Sequence, residues 1–168
     1  MIVHATAVAR RIEKGWRAAL LFGPSGAGKS DLALRALDNG WRLVADDYAL
    51  VWLSGGRLYV RAPDRISDRI EARGLGLMPE PTLALAEAAI AVRCVAGVVE
   101  RLPDPETMAI AGVSLPAFSL LALQTSALAK VDRALSTRAL GGETGTAYLT
   151  RSCDPEPATT SGAAVAEG

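Results

Sequence analysis

Residues 23–30 read Gly23-Pro24-Ser25-Gly26-Ala27-Gly28-Lys29-Ser30, a complete G-x-x-x-x-G-K-[ST] pattern. The run follows Ala18-Ala19-Leu20-Leu21-Phe22 and precedes Asp31-Leu32-Ala33-Leu34-Arg35-Ala36-Leu37. A strand, a glycine loop and a helix therefore come in the order that holding a polyphosphate requires. Glycines let the backbone curl so that several N–H groups point into one concavity, and the N-terminus of the following helix adds partial positive charge. With glycine near 7% of average composition, a chance match would arise in roughly one of several hundred chains of this length. An ordinary turn with a solvated lysine explains the run poorly. Nucleotide contacts are placed on Gly23, Pro24, Ser25, Gly26, Ala27, Gly28, Lys29, Ser30 and Asp31. Lys29 would face the β and γ phosphates of ATP, and the Ser30 hydroxyl would ligate Mg²⁺.

Working outward, the 168 residues amount to one domain, long enough to bury a core without disulfides or metal. Lys plus Arg equals Asp plus Glu, at 18 each. No long-range basic field for nucleic acid is expected, and any site for a polyanion must be local. Cys94 and Cys153 are far apart, and His4 is the lone histidine. That argues against zinc and for a reducing compartment. The start Met1-Ile2-Val3-His4 lacks a basic region followed by a long apolar stretch, and residues 83–99 are broken by Glu87 and Arg93. No membrane association and a cytoplasmic location are the expectation.

Residues 2–9 and 16–22 read as a hairpin feeding the glycine loop. The helix at 29–37 stops at Asn39-Gly40, and a short buried strand at 43–45 delivers Asp46 and Asp47. Residues 49–53 and 58–60, around Ser54-Gly55-Gly56, predict a second hairpin. Residues 66–78 read as irregular. Strands are predicted at 88–95 and 108–110, and a helix at 119–140 ending on Gly141-Gly142. The tail at 150–168 is rich in small and polar residues and is expected to be disordered. Two antiparallel hairpins around one strand–loop–helix unit do not fit a repeating βαβ pattern. The fold class is α/β: a mixed sheet with few helices.

Asp46-Asp47 lies across one helix and one strand from Lys29, which returns it to the carboxyl end of the sheet beside the glycine loop. One carboxylate could hold Mg²⁺ while the other accepts a proton from an attacking hydroxyl.

Together, Gly23 to Ser30, the run Gly40-Trp41-Arg42-Leu43-Val44-Ala45-Asp46-Asp47 and the run Ile70-Glu71-Ala72-Arg73-Gly74-Leu75-Gly76 resemble the catalytic domain of bacterial HPr serine kinase/phosphorylase. The third run is the most specific of the three. The resemblance covers residues 1–140, most strongly up to Met78, within a catalytic domain assigned to residues 1–149. It implies a P-loop core related to phosphoenolpyruvate carboxykinase and an ATP-dependent activity that phosphorylates a serine of the phosphocarrier HPr. It also implies a homo-hexameric ring in which a neighbour helps hold HPr, with the late helix as the contributor. By the same resemblance, Lys29 binds phosphate, Ser30 and Glu71 serve the metal, and Asp47 accepts the proton, which leaves Asp46 as the carboxylate of the pair that holds Mg²⁺. His4 matches the active-site histidine and Arg101 the catalytic arginine.

Two departures from the family pattern stand out. The chain starts almost at the histidine-bearing strand, so no regulatory domain is expected before it. Leu115-Pro116-Ala117-Phe118-Ser119 replaces a Pro-Gly-Arg-Asn segment associated with dephosphorylation, so phosphorolysis is expected to be weak or absent. A small-molecule kinase on the same core, or a nucleotide-responsive regulator that binds a phosphocarrier without transferring phosphate, are the alternative readings.

Overall fold

The computed structural model describes residues 1–13 and 15–139. The expected domain limit at 149 and the tail at 150–168 lie outside the described residues. The elements are strands β1 (Ile2–His4), β2 (Thr6–Ile12) and β3 (Gly15–Phe22), helix α1 (Lys29–Asp38), and strands β4 (Arg42–Ala45), β5 (Tyr48–Ser54) and β6 (Arg57–Arg61). A 3-10 turn at Asp64–Ile66 leads into β7 (Arg69–Ala72) and β8 (Gly76–Pro79), followed by β9 (Ala86–Cys94), β10 (Glu106–Ile110), β11 (Val113–Leu120) and helix α2 (Ala127–Ala139). Nine strands form one mixed sheet on the path β1-β5-β6-β9-β3-β2-β4, with β11 also on β9 and β10 on β11; β7 and β8 form a separate two-stranded sheet. The mixed sheet with few helices agrees with the fold class read from the sequence.

Each face of the large sheet carries its own core. Along β3, Ala19 and Leu21 face the helices with Leu32, Ala33 and Ala36 of α1 and Val131 and Leu135 of α2. Ala18 and Leu20 face the other way, with Val51, Val60, Ala88 and Leu115. This is the period-2 alternation of a strand covered on both sides. On β9 the alternation slips, because the register with β3 runs Ala18 to Ala88 and then Ala19 to Ile90. Ala89 is the extra residue of a bulge, which lets Ile90 and Val92 stay on the helix side.

The long apolar stretch expected at 2–9 is two strands. β1 pairs with β5, whereas β2 pairs with β3 and β4. That carries His4 to the edge beside Tyr48, away from the strand that feeds the glycine loop. The predicted helix at 119–140 is also corrected. Ser119 and Leu120 belong to β11, which lies parallel to β9, and α2 begins only at Ala127. Ser119 and Leu120 suit a buried strand end as well as a helix start, and the β9 ladder takes them. β11 itself was not anticipated, because Pro116 reads as a breaker. Its ladder to β9 begins one residue later, at Ala117, so the missing N–H falls where β11 has β10 alone as a neighbour. The stretch 66–78, expected to be irregular, contains the β7–β8 hairpin. Ile70 and Ala72 are buried, and Ile70 enters the helix-side core, so Glu71 and Arg73 face away from that core.

Candidate active site

The glycine loop leaves β3 at Phe22 and enters α1 at Lys29. Gly28 is the helix N-cap in the left-handed region at φ 87°, and no side chain caps the helix. The first-turn N–H groups thus remain available to an anion. Gly23 has φ 148°, and a Cβ there would stand 2.4 Å from the Cys94 carbonyl oxygen. Gly23→Ala is therefore expected to cost roughly 3 kcal/mol or more, since both the backbone conformation and the overlap with β9 oppose it. Thermal denaturation of the variant checks this.

Lys29 is buried at 7% exposure. Its ammonium donates to the carbonyls of Gly23 at 2.9 Å and Pro24 at 3.1 Å. No carboxylate pairs with it among the described residues. Asp31, placed in the nucleotide contact by sequence, is taken by Arg35 one turn later at 2.7 Å. Arg35 also binds the carbonyl of Ala122, which ties α1 to the segment after β11.

Below the loop, burial pushes the Cys94 thiol up to about 11, with the Lys29 ammonium pulling the other way. The folded thiol stays neutral while an unfolded one ionises from its ordinary value of 9.0 upward. Stability should therefore fall as pH rises from 9.0 toward 11. The loss attributable to this group is on the order of 2–3 kcal/mol. Denaturant titrations across that range should show a shallower alkaline decline in Cys94→Ala.

The two aspartates after β4 have different partners. Asp46 Oδ1 accepts from the Thr6 hydroxyl at 2.9 Å and the Ser30 hydroxyl at 3.2 Å, and Oδ2 accepts from the Glu71 amide at 3.0 Å. Asp47 has φ 63°, a left-handed conformation that Asp tolerates better than most residues. The turn is closed by the Tyr48 amide donating to the Asp46 carbonyl at 2.7 Å. Asp47 Oδ1 lies 2.7 Å from His4 Nε2, with the side chains 62% and 48% exposed respectively. The His4 and Tyr48 rings lie 5.4 Å apart.

The hairpin that carries Glu71 is clasped at its base. Asp68 accepts from the Thr82 amide at 2.8 Å and the Thr82 hydroxyl at 2.9 Å, and these bonds hold its carboxyl below the usual range. At the other end of the hairpin, Arg73 reaches the glycine loop, its guanidinium nitrogens 3.7 and 3.9 Å from where a Gly26 Cβ would stand. Arg101 is exposed in the segment between β9 and β10 and makes no hydrogen bond or ion pair with the described residues.

The structure therefore brings together Lys29, Ser30, Asp46, Asp47, His4 and the Glu71 strand, and leaves Arg101 apart. It adds Thr6, to which sequence reading gave no site role, and brings Arg73, which sequence reading put on a loop approaching a ligand, to the glycine loop. The Glu71-x-Arg73 spacing beside two glycines was a signal for Arg73. Nothing marked Thr6, whose neighbours in sequence are ordinary strand residues.

A divalent cation fits the donor set in one particular way. Among the described residues no three His, Cys, Asp or Glu side chains converge as ligands. The hydroxyl of Ser30 and the carboxylate of Asp46 do lie together beside the glycine loop. Such a sparse oxygen set suits Mg²⁺, which keeps several waters and takes phosphate oxygens alongside one or two protein groups. Among the described residues no helix is long and apolar enough to cross a membrane.

The family HPr Serine kinase C-terminal domain matches residues 17–83. The HPr kinase/phosphorylase of Brevibacillus brevis is 38% identical over 91 residues, which is 53% of this chain and 29% of that protein. That of Prosthecochloris aestuarii is 32% identical over 114 residues, covering 60% of this chain and 34% of the relative. The chain thus spans about a third of these curated relatives. In three dimensions it is similar to the Hpr(Ser) kinase/phosphatase of Coxiella burnetii, with a TM-score of 0.63 and 22% identity over 79% of this chain and 90% of the other. The part that matches the HPr Serine kinase C-terminal domain family, residues 17–83, carries the glycine loop, both aspartates and the Glu71 strand.

Proposed function

We propose that this chain is an ATP-dependent protein-serine kinase acting on HPr or an HPr-like phosphocarrier. The observation that carries the reading is the division between the aspartates. Asp46 has three donors, whereas Asp47 is exposed and has His4 as its partner. An exposed carboxylate beside a loop whose buried lysine has no carboxylate partner among the described residues can take the proton of an incoming hydroxyl as it attacks a phosphate held by that loop.

Placement supports the remaining roles. The open N–H groups of the loop and Lys29 bind and orient the phosphates and offset the charge of the transferring group. His4 holds Asp47 in place. Arg73 is better placed than Arg101 to meet a γ phosphate, though Arg101 keeps the role that the family resemblance gives it. Mg²⁺ supplies charge neutralisation when bound, and Ser30 and Asp46 would hold it, with Glu71 as the further ligand implied by resemblance. The same resemblance supports a phosphoenolpyruvate carboxykinase-related core and a homo-hexamer, and the spacing of the two cysteines supports a reducing, cytoplasmic compartment. The Leu115–Ser119 departure supports weak or absent phosphorolysis.

Incubating the purified protein with Mg²⁺, ATP and an HPr carrying a single serine tests this. Phosphate on that serine is expected. Turnover of a small metabolite with no labelling of HPr would overturn the protein-kinase reading. ATP binding without any transfer would mark a regulator.

A further inference from the structure

Thr6 and Lys29 are the two buried polar side chains among the described residues. Thr6 opens β2, opposite Leu21 on β3, and the next residue, Ala7, pairs with Ala45 on β4. Its side chain thus stands where β3 runs out into the glycine loop and β4 into Asp46. Valine would fill nearly the same volume in such a strand, whereas a buried hydroxyl is costly unless it is hydrogen-bonded. Here it donates its single proton to Asp46 Oδ1, a charged acceptor, which makes the bond stronger than a neutral one.

The same carboxylate gathers donors from three separate elements. Thr6 comes from β2, Ser30 from the first turn of α1, and the Glu71 amide from β7. A serine hydroxyl has one proton and two lone pairs. With that proton on Asp46, the lone pairs of Ser30 are left for a cation. If Asp46 were free to rotate, both the direction of the Ser30 hydroxyl and the acceptor for the Glu71 strand would be lost.

We infer that Thr6 is a positioning residue for the metal–nucleotide site: it fixes the Asp46 carboxylate, which in turn aims Ser30 and holds the Glu71 strand against the glycine loop. Its effect on metal rests on the proposed Mg²⁺–nucleotide reading of the site. Its effect on the Glu71 strand is a property of the protein alone.

The test compares wild type, Thr6→Val and Thr6→Ser. In Thr6→Val, the Mg²⁺ concentration for half-maximal binding of a non-hydrolysable ATP analogue should rise roughly 10- to 100-fold, as it does when a group supporting a metal ligand is lost. Affinity measured without metal should change by less than about threefold. In nucleotide-free protein, hydrogen exchange at the Glu71 amide should quicken about tenfold or more. Thr6→Ser, which keeps the hydroxyl and drops the methyl, should restore both. Unchanged exchange and unchanged Mg²⁺ dependence in Thr6→Val would overturn the inference, as would a Thr6→Ser variant as impaired as the valine. If Thr6→Val does not fold, the comparison of Thr6→Ala with Thr6→Ser isolates the hydroxyl in the same way. Wild type showing no Mg²⁺-dependent nucleotide binding would overturn the proposed function instead, and the Glu71 exchange rates would still decide the role of Thr6.

Discussion

Lys29→Ala is expected to lose phosphoryl transfer by at least about 10²–10³-fold, the scale on which removal of one preorganised electrostatic group slows a reaction. Nucleotide binding should weaken alongside it. Lys29 is buried, yet among the described residues only the Gly23 and Pro24 carbonyls meet its ammonium. Two carbonyl dipoles do not neutralise a full charge, so the loop holds a cation whose anionic partner must come from outside. For the same reason the unliganded fold should lose little when that charge is removed. The melting temperature should stay within about 3 °C of the parent or rise, while initial rates collapse. Binding of an ATP analogue, initial rates and thermal denaturation on the same preparation separate the two effects. Turnover within tenfold of wild type would mean that the loop is not the phosphate site.

Asp47→Asn is expected to lower kcat by roughly 10²–10⁴-fold, the range of general-base contributions. Binding of Mg²⁺ and nucleotide should remain within about threefold of wild type. The amide is nearly isosteric, can still partner His4, and tolerates the left-handed backbone at φ 63°. What it cannot do is take up a proton. Asp46→Asn should behave differently, because its carboxylate serves Thr6, Ser30 and the Glu71 amide at once. An NH₂ group replaces one acceptor oxygen, so at least one of those donors is left facing a donor. The metal requirement and the order of the β7–β8 hairpin should then suffer together. If Asp47→Asn lost metal-dependent binding and Asp46→Asn lost only transfer, the two roles would be exchanged.

Much of the site was legible because its parts are local. The glycine positions, the alternation that buries β3 on both faces, and the Asn39-Gly40 stop of α1 each depend on residues within one turn or one strand. The two hairpins at β2–β3 and β5–β6 were legible for the same reason: their turn residues and flanking alternation lie side by side in the chain. Where periodicity was ambiguous, sequence reading ran a helix through Ser119 and Leu120. The partner that decides their conformation is β9, some two dozen residues away.

The sequence by itself determined the strand–loop–helix unit, the fold class, and the glycine loop and aspartate pair as parts of the candidate site, because backbone preference and hydrophobic period act over short distances. Only the tertiary structure decided which aspartate gathers three donors and which stands exposed beside His4. That choice depends on β1 leaving β2 at Ala5 to pair with β5, which brings His4 to Asp47. It depends also on Thr6 and the Glu71 amide arriving at Asp46 from two other elements. Adjacent residues of identical chemistry carry no local signal that tells them apart. Their difference is made by long-range strand pairing and by a single positive φ, and neither is encoded in the residues that it affects.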